Sequence, residues 1–338
     1  MWRLFKQFVK RLINRNPVLA RIYYHYTLRR ESREYEKPPL LIYQMGKVGS
    51  KTIQRSLRTI KLDRPVFHVH FLTPDRVKRT EKERRKYLGT DRMGLLRHVW
   101  QYQYLLKRLG SRSNGKKWKI ITLTREPIGR NIATFFENLS VEALDDGHRY
   151  RIQSDYYGFE GTFTLENIDQ LKHLFFERLY HDRPLVFFDE ELKGMFGIDV
   201  FACEFPTSKG YKIYEGERAD VLLIRLESLN DCATDAFREF LGIEDFTLVN
   251  ANVASAKVYA PLYRKFKKTA VLPEDYVERM YTSKYTQHFY SQEEIARFRA
   301  RWHTRGEGPP SIPPACGGEA PPGGEGDLDK LGQGSCAF

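Results

Sequence analysis

Residues 40–52 have the sequence LLIYQMGKVGSKT. The first four residues are apolar and predict a buried strand, and apolar residues recur at helical spacing from position 50 to position 60. Between them lies a short loop that contains Gly46 and Gly49. A strand that passes through such a loop into a helix gathers backbone N–H groups and the positive end of the helix dipole at one point. The stretch therefore predicts an anion-binding site. The side chains that would add donors there are those of Lys47, Ser50, Lys51 and Thr52.

Strand and helix patterns alternate along much of the chain. Strands are expected at residues 40–43, 65–70, 119–123 and 221–226. Helices are expected at residues 50–60, in two parts of 73–110 separated near Gly89, and at 128–138, 166–180 and 190–196. This alternation predicts an α/β fold, a three-layer sandwich with a central, mainly parallel sheet covered on both faces. In such folds ligands bind at the carboxyl ends of the strands.

Residues 120–136, IITLTREPIGRNIATFF, form a second motif of the same kind. An apolar strand ends at the turn Arg125-Glu126-Pro127, and a helix follows, with the proline at a position that the first helical turn tolerates. An arginine at the end of a strand can donate two parallel hydrogen bonds to a phosphate. Two such turns on one sheet predict a ligand that carries a phosphate at each end.

A P-loop nucleotide kinase or NTPase is the first alternative. Its GxxxxGK[ST] motif, aligned on Lys51-Thr52, requires glycine at two positions where this chain has Met45 and Ser50. Residues 185–190, LVFFDE, have the pattern of the strand that carries a magnesium-binding aspartate in such enzymes. The same residues also fit one face of a helix, and the helix is the preferred prediction.

The first motif resembles the 5′-phosphosulfate-binding loop of sulfotransferases that use 3′-phosphoadenylyl sulfate. The resemblance implies a P-loop-NTPase-like sulfotransferase fold, in which Lys47 bonds the phosphosulfate bridge and stabilises the leaving phosphate. No metal ion is predicted. The other donor-binding residues that the resemblance implies in this loop are Gly46, Val48, Gly49, Ser50, Lys51 and Thr52.

The second motif resembles the 3′-phosphate site of the same family. Arg125 matches the arginine of that site, whereas Ala133 stands where the family has a serine, and Thr134 is the hydroxyl next to it. The run REPIGR is similar to glycan sulfotransferases that act on uronic acids, which implies that Arg130 faces the nucleotide or an acidic acceptor. Residues 252–290, with the segments SAKVY (255–259) and HFYS (288–291), resemble bacterial capsular polysaccharide synthesis proteins, and this resemblance covers about residues 40–300.

Two histidines are candidates for the general base that removes the proton of the acceptor hydroxyl. His68 and His70 are two residues apart in a predicted strand, so they share one face of it. Uronosyl-type glycan sulfotransferases carry a similar pair, and His70, nearer the carboxyl end, is preferred over His68. A histidine can also simply pack in the core, and Asp189 or Glu190 is then the alternative base.

The resemblances imply an enzyme that moves a sulfuryl group from 3′-phosphoadenylyl sulfate to a hydroxyl of a saccharide, such as a capsular polysaccharide. The alternatives are a P-loop-type nucleotide kinase or NTPase, and a non-catalytic nucleotide-binding protein in capsule assembly. Nucleic acid is not an expected partner, because the sequence contains no RRM, KH or helix-turn-helix signature.

Composition divides the chain into a basic arm (residues 1–37), an α/β domain (38–303) and a Gly/Pro-rich tail (304–338) that is expected to be disordered. The net charge of +13 favours anionic partners. Residues 1–30 mix apolar and basic residues at helical spacing, so they are expected either to lie on an anionic membrane surface or to pack over the core. Scattered cysteines and the lack of a long apolar run favour a cytoplasmic protein, peripheral on the membrane.

Overall fold

A computed structural model describes residues 16–33, 35–86, 97–110, 116–144, 149–154, 156–249 and 257–305. The predictions for residues 1–15, for the helix break near Gly89 and for the tail beyond residue 305 lie outside these ranges. None of the helices within the described ranges combines the length and the hydrophobicity that a membrane-spanning segment requires.

The secondary structure alternates between strands and helices, as expected. The strands are β1 (Leu40–Tyr43), β2 (Val66–Val69), β3 (Trp118–Thr124), β4 (Ser140–Leu144), β5 (Arg149–Ser154), β6 (Phe159–Thr164), β7 (Tyr211–Glu215), β8 (Ala219–Arg225), β9 (Val271–Pro273) and β10 (His303–Arg305). The α-helices are α1 (Pro17–Arg33), α2 (Ser50–Arg58), α3 (Pro74–Lys86), α4 (Arg97–Gly110), α5 (Pro127–Glu137), α6 (Asp169–Arg178), α7 (Arg183–Phe187), α8 (Gly194–Phe196), α9 (Leu229–Leu241), α10 (Ala260–Thr269), α11 (Glu274–Thr282), α12 (Lys284–Phe289) and α13 (Gln292–Arg299).

The main sheet has five strands in the order β2-β1-β3-β8-β7. The first four run parallel, and β7 joins the edge antiparallel to β8. The predicted mixed α/β fold with a mainly parallel sheet is therefore confirmed. The strand order changes direction at β1, since β2 lies on one side of it and β3 on the other. The crevice at the carboxyl ends of β1 and β3 is the switch point at which sheets of this type bind ligands.

Helices lie against both faces of this sheet. The register aligns Leu40 with Lys119, so these side chains share one face and Tyr43 lies on the other. On the first face, Lys119 Nζ lies 4.6 Å from the centroid of the Phe240 ring in α9. On the second, the ring centroids of Tyr43 and Phe187 of α7 are 5.9 Å apart. Apolar burial on both faces explains why the central strands are continuous hydrophobic runs.

One part of the chain differs from the sequence-based prediction, and another part decides between two predicted alternatives. Strands β4, β5 and β6 form a separate antiparallel sheet that the sequence analysis did not predict. Residues 185–190 are helical: α7 passes directly into a π-helix at Phe188–Lys193. The preferred helix prediction is therefore confirmed and the strand alternative is wrong. The assignment to the sulfotransferase fold stays a prediction.

Candidate functional site

The loop after β1, residues 44–49 (the Lys47 loop), turns sharply into α2. Gly49 has φ +97°, in the left-handed region that glycine adopts without a steric penalty. A Cβ atom at this position would also lie 2.7 Å from Leu226 Cδ1, so the Leu226 side chain would have to shift to admit any other residue. Within the described residues, no side chain caps the start of α2. An uncapped helix start presents backbone N–H groups to an anion.

Lys47 itself has a left-handed backbone, with φ +67°. For a residue with a Cβ atom this conformation costs on the order of 1–2 kcal/mol. Such strain is stored where the surrounding structure holds it in place, and it concentrates at functional sites. The conformation supports a functional interpretation of the loop.

The two predicted motifs meet at the switch point of the sheet. Arg125 Nη1 donates a hydrogen bond to the carbonyl oxygen of Lys47 at 2.9 Å. Arg130 Nε donates to the carbonyl oxygen of Gly46 at 3.2 Å. The turn after β3, residues 125–126 (the Arg125 turn), and the Lys47 loop therefore form one continuous surface.

Two of the predicted ligand-binding side chains, Arg130 and Thr134, are buried and hydrogen-bonded to protein atoms. Arg130 is 1% exposed, and its Nη1 also donates to Asn131 Oδ1 at 3.2 Å. The hydroxyl of Thr134 donates to the carbonyl oxygen of Arg130 at 3.0 Å within α5. Val48 is buried in the core. Arg130 thus holds the Lys47 loop through the Gly46 carbonyl, whereas Arg125 is partly exposed beside the loop.

A carboxylate that the sequence analysis missed lies among the lysines of the loop. Glu137, the last residue of α5, has Oε2 3.1 Å from Lys47 Nζ and Oε1 3.7 Å from Lys51 Nζ. Lys257 Nζ lies 3.9 Å from Oε2, and the hydroxyl of Tyr259 donates to the same oxygen at 3.0 Å. These five residues are the Glu137 cluster. They come from distant parts of the chain, so spacing in the sequence could not have revealed the cluster.

Burial and charge act in opposite directions on this cluster. Burial lowers the pKa of Lys47, and the attraction of Glu137 offsets only part of that effect. Burial by itself would raise the pKa of Glu137, but the charges of Lys47 and Lys257 and the hydrogen bonds from Lys47 and Tyr259 outweigh it and lower the pKa. Glu137 is therefore ionised near neutral pH and neutralises part of the positive charge at the mouth of the loop.

Tyrosine hydroxyls hold the Arg125 turn from the side of α11 and α12. The hydroxyl of Tyr285 accepts from the backbone N–H of Arg125 at 3.0 Å and donates to the carbonyl oxygen of Arg125 at 2.8 Å. It also bonds the hydroxyl of Thr124. One side chain thus satisfies both polar groups of the Arg125 backbone, which holds the turn in place.

Glu126 caps the helix that follows the turn. Its carboxylate accepts from the backbone N–H groups of Ile128 at 2.8 Å and Gly129 at 2.7 Å, and from the hydroxyl of Tyr281 at 2.8 Å. Burial raises the pKa of Glu126 despite these three hydrogen bonds. The acidic residue of the second motif is therefore a helix cap, which explains why the motif has an acid before its proline.

The two predicted histidines share a face of β2, as their spacing requires. Their ring centroids are 4.5 Å apart, and His70 Nδ1 lies 3.0 Å from the carbonyl oxygen of Gln44, the first residue of the Lys47 loop. The register of β1 and β2 aligns Ile42 with His68, which places Gln44 beside His70. The side chain of Gln44 is buried, and neither of its amide atoms has a hydrogen-bond partner among the described residues. The histidine pair thus lies at the base of the loop.

The alternative bases lie in the π-helix, where their neighbour Glu191 has a structural role. Glu191 is fully buried and accepts from the backbone N–H groups of Leu72 at 2.9 Å and Thr73 at 3.2 Å. Glu190 accepts from Arg183 Nη1 at 2.9 Å, and Arg183 Nη2 donates to the carbonyl oxygen of His70 at 3.4 Å. The acidic run therefore fixes the segment that follows β2.

A family model described as "putative capsular polysaccharide synthesis protein" matches residues 164–291. No curated protein and no solved structure matched the chain. The matched segment supplies Lys257 and Tyr259 of the Glu137 cluster and the tyrosines that hold the Arg125 turn. The Lys47 loop and the Arg125 turn precede it in the sequence. The site thus combines residues from inside and outside the matched segment.

Proposed function

We propose that the protein is a sulfotransferase that moves the sulfuryl group of 3′-phosphoadenylyl sulfate to a saccharide hydroxyl during capsular polysaccharide synthesis. The observation that supports this most is the hydrogen bond from Arg125 to the Lys47 carbonyl, because it joins two basic turns at the switch point of a parallel sheet. The strand order and the uncapped start of α2 are consistent with a P-loop-NTPase-like sulfotransferase fold.

In the proposed reaction the acceptor oxygen forms a bond to sulfur while the bond from sulfur to the 5′-phosphate oxygen breaks. Lys47, Lys51 and the N–H groups at the start of α2 would neutralise the charge that develops on the leaving phosphate. Arg125 would bind the 3′-phosphate with the N–H groups that do not bond the Lys47 carbonyl. Because Glu137 holds the two lysines, the donor has to compete with its carboxylate.

His70 is the proposed base for the acceptor proton. Its contact with the Gln44 carbonyl places the imidazole at the root of the Lys47 loop, on the face of the sheet that also carries His68. Glu190 is a poorer candidate because it is already paired with Arg183. His70 is therefore preferred to Glu190, and Asp189 stays the alternative base.

The matched family supports a saccharide acceptor and a role in capsule synthesis. The kinase alternative is weakened by the helical conformation of residues 185–190, because Asp189 does not end a strand as a magnesium-binding aspartate of an NTPase does. A cytoplasmic location belongs to the same proposal.

A comparison of two nucleotides tests the proposal. Adenosine 3′,5′-bisphosphate should raise the thermal midpoint, with a stabilisation of about 2.7 kcal/mol at one hundred times its Kd. ATP with Mg²⁺ should have a smaller effect. The reverse order would favour the kinase alternative. Transfer of labelled sulfate from the donor to a mixture of capsular saccharides then separates an enzyme from a protein that only binds the nucleotide.

A further inference from the structure

Helix α1 has an apolar side that packs into the protein. Ala20, Tyr24 and Leu28 are buried and repeat every four residues. The ring centroids of Tyr24 and Trp100 of α4 are 5.4 Å apart. The contacts on this side hold α1 against the rest of the protein.

The opposite side of the same helix is also apolar, but it faces outward. Val18, Leu19, Ile22 and Tyr26 are 63%, 51%, 61% and 62% exposed. At 100° per residue they project away from the buried positions, so they form one surface, which we call the outer face of α1. Single exposed apolar residues are ordinary, but a cluster on one face of a helix indicates an interaction site.

Positive charge surrounds the outer face. Helix α1 contains four arginines and one glutamate, and Arg21, Arg29 and Arg30 are exposed. The pKa of His25, on the same helix, is lowered first by burial and then by Arg21, Arg29 and Lys107 of α4.

We propose that the outer face of α1 docks on an anionic membrane surface. Its apolar side chains would enter the boundary between headgroups and acyl chains, and its arginines would pair with lipid phosphates. A second copy of the chain is a poorer occupant, since two such faces would bring like charges together. Residues 1–15 would not neutralise the face either, because they contain five basic residues and no acidic one.

This inference does not depend on sulfuryl transfer, and binding of the full chain to vesicles tests it. The protein should sediment with vesicles that mix phosphatidylcholine and phosphatidylglycerol, and only weakly with phosphatidylcholine alone. Added salt should release it, because the electrostatic part of the attraction is screened within about 10 Å at 0.1 M salt. Failure of the wild-type protein to bind the anionic vesicles would overturn the proposal.

Two variants locate the binding surface. Ile22→Asp should weaken vesicle binding about tenfold or more, since it removes apolar area from the interface and adds a negative charge. The control is Val249→Asp, which makes the same change in charge at another exposed apolar residue and should bind as the wild type does. Replacing Arg29 and Arg30 with serine should reduce binding and its dependence on salt. All variants should keep the wild-type thermal midpoint, because the changed side chains are exposed.

Two results would contradict the docking surface. Unchanged vesicle binding by Ile22→Asp would assign the membrane contact to another part of the chain. A wild-type dimer that Ile22→Asp converts to a monomer, as measured by sedimentation velocity, would show that a second copy covers the outer face instead.

Discussion

The ammonium nitrogen of Lys47 lies 3.1 Å from a carboxylate oxygen of Glu137, although Lys47 is the residue proposed to bind the donor phosphate. The same carboxylate is also close to Lys51 and Lys257. A negatively charged side chain thus lies where the proposed function requires a negatively charged ligand. Glu137 holds the lysines in place, and under the proposed function the donor would have to compete with its carboxylate.

Removing this charge should therefore improve anion binding. Glu137→Gln keeps the shape of the side chain but removes the competition for Lys47, so the affinity for adenosine 3′,5′-bisphosphate should rise by about tenfold, or 1.4 kcal/mol. Isothermal titration calorimetry measures this affinity. Glu244→Gln, at an exposed position, makes the same chemical change and should have no effect. Equal or weaker affinity in Glu137→Gln would show that the carboxylate does not compete with the ligand.

The contact between the two motifs predicts that each is needed for the same ligand. Lys47→Ala and Arg125→Ala should each weaken binding of adenosine 3′,5′-bisphosphate by about tenfold to a hundredfold, the value of one hydrogen bond to a charged group. Arg125→Lys should recover only part of the loss, because a lysine keeps the charge but not the planar set of donors. Arg264→Ala, at an exposed arginine, is the control. Wild-type affinity in both alanine variants would remove the basis of the proposed site.

The elements of the fold and of the site differ in how far the sequence predicts them. The Lys47 loop was predictable because strand, glycines and helix start are adjacent in the chain, and local geometry follows from local sequence. The β4–β6 sheet was missed although β5 alternates, with Tyr150 and Ile152 buried between exposed residues. The Glu137 cluster and the Tyr285 contact with Arg125 were not predictable, because tertiary packing alone brings such distant residues together.

Gly49 provides a test of the loop geometry itself. Gly49→Ala should destabilise the protein by about 2–3 kcal/mol, because the new Cβ atom combines a left-handed backbone with a contact of 2.7 Å that the Leu226 side chain has to relieve by shifting. Gly158→Ala is the matched control: Gly158 has φ +69°, and no described atom lies within 4 Å of its added Cβ atom. That variant should lose only about 1–2 kcal/mol, the cost of the backbone conformation. Urea unfolding measures both losses, and equal losses would mean that the close approach to Leu226 is relieved without cost.

A buried histidine outside the site makes stability depend on pH. His181 Nε2 lies 3.0 Å from the carbonyl oxygen of Phe175, and Nδ1 lies 3.0 Å from the hydroxyl of Tyr276. A carbonyl oxygen can only accept, so Nε2 carries the proton of the neutral ring and Nδ1 accepts from Tyr276. Burial lowers the pKa of His181 from 6.5 to about 3, and Arg279 and Arg130 add to that effect.

The stability that the neutral His181 contributes should be complete above pH 6.5 and fall as the pH falls towards 3, because the unfolded chain binds a proton in that range and the folded chain does not. The loss on going to pH 5 should be about 2 kcal/mol. His181→Gln cannot titrate, so the free energy of unfolding of this variant should change less between pH 7 and pH 5 than that of the wild type. His173→Gln, at a histidine whose side chain is 79% exposed, should keep the wild-type dependence. A wild-type slope in His181→Gln would mean that other groups cause the acid sensitivity.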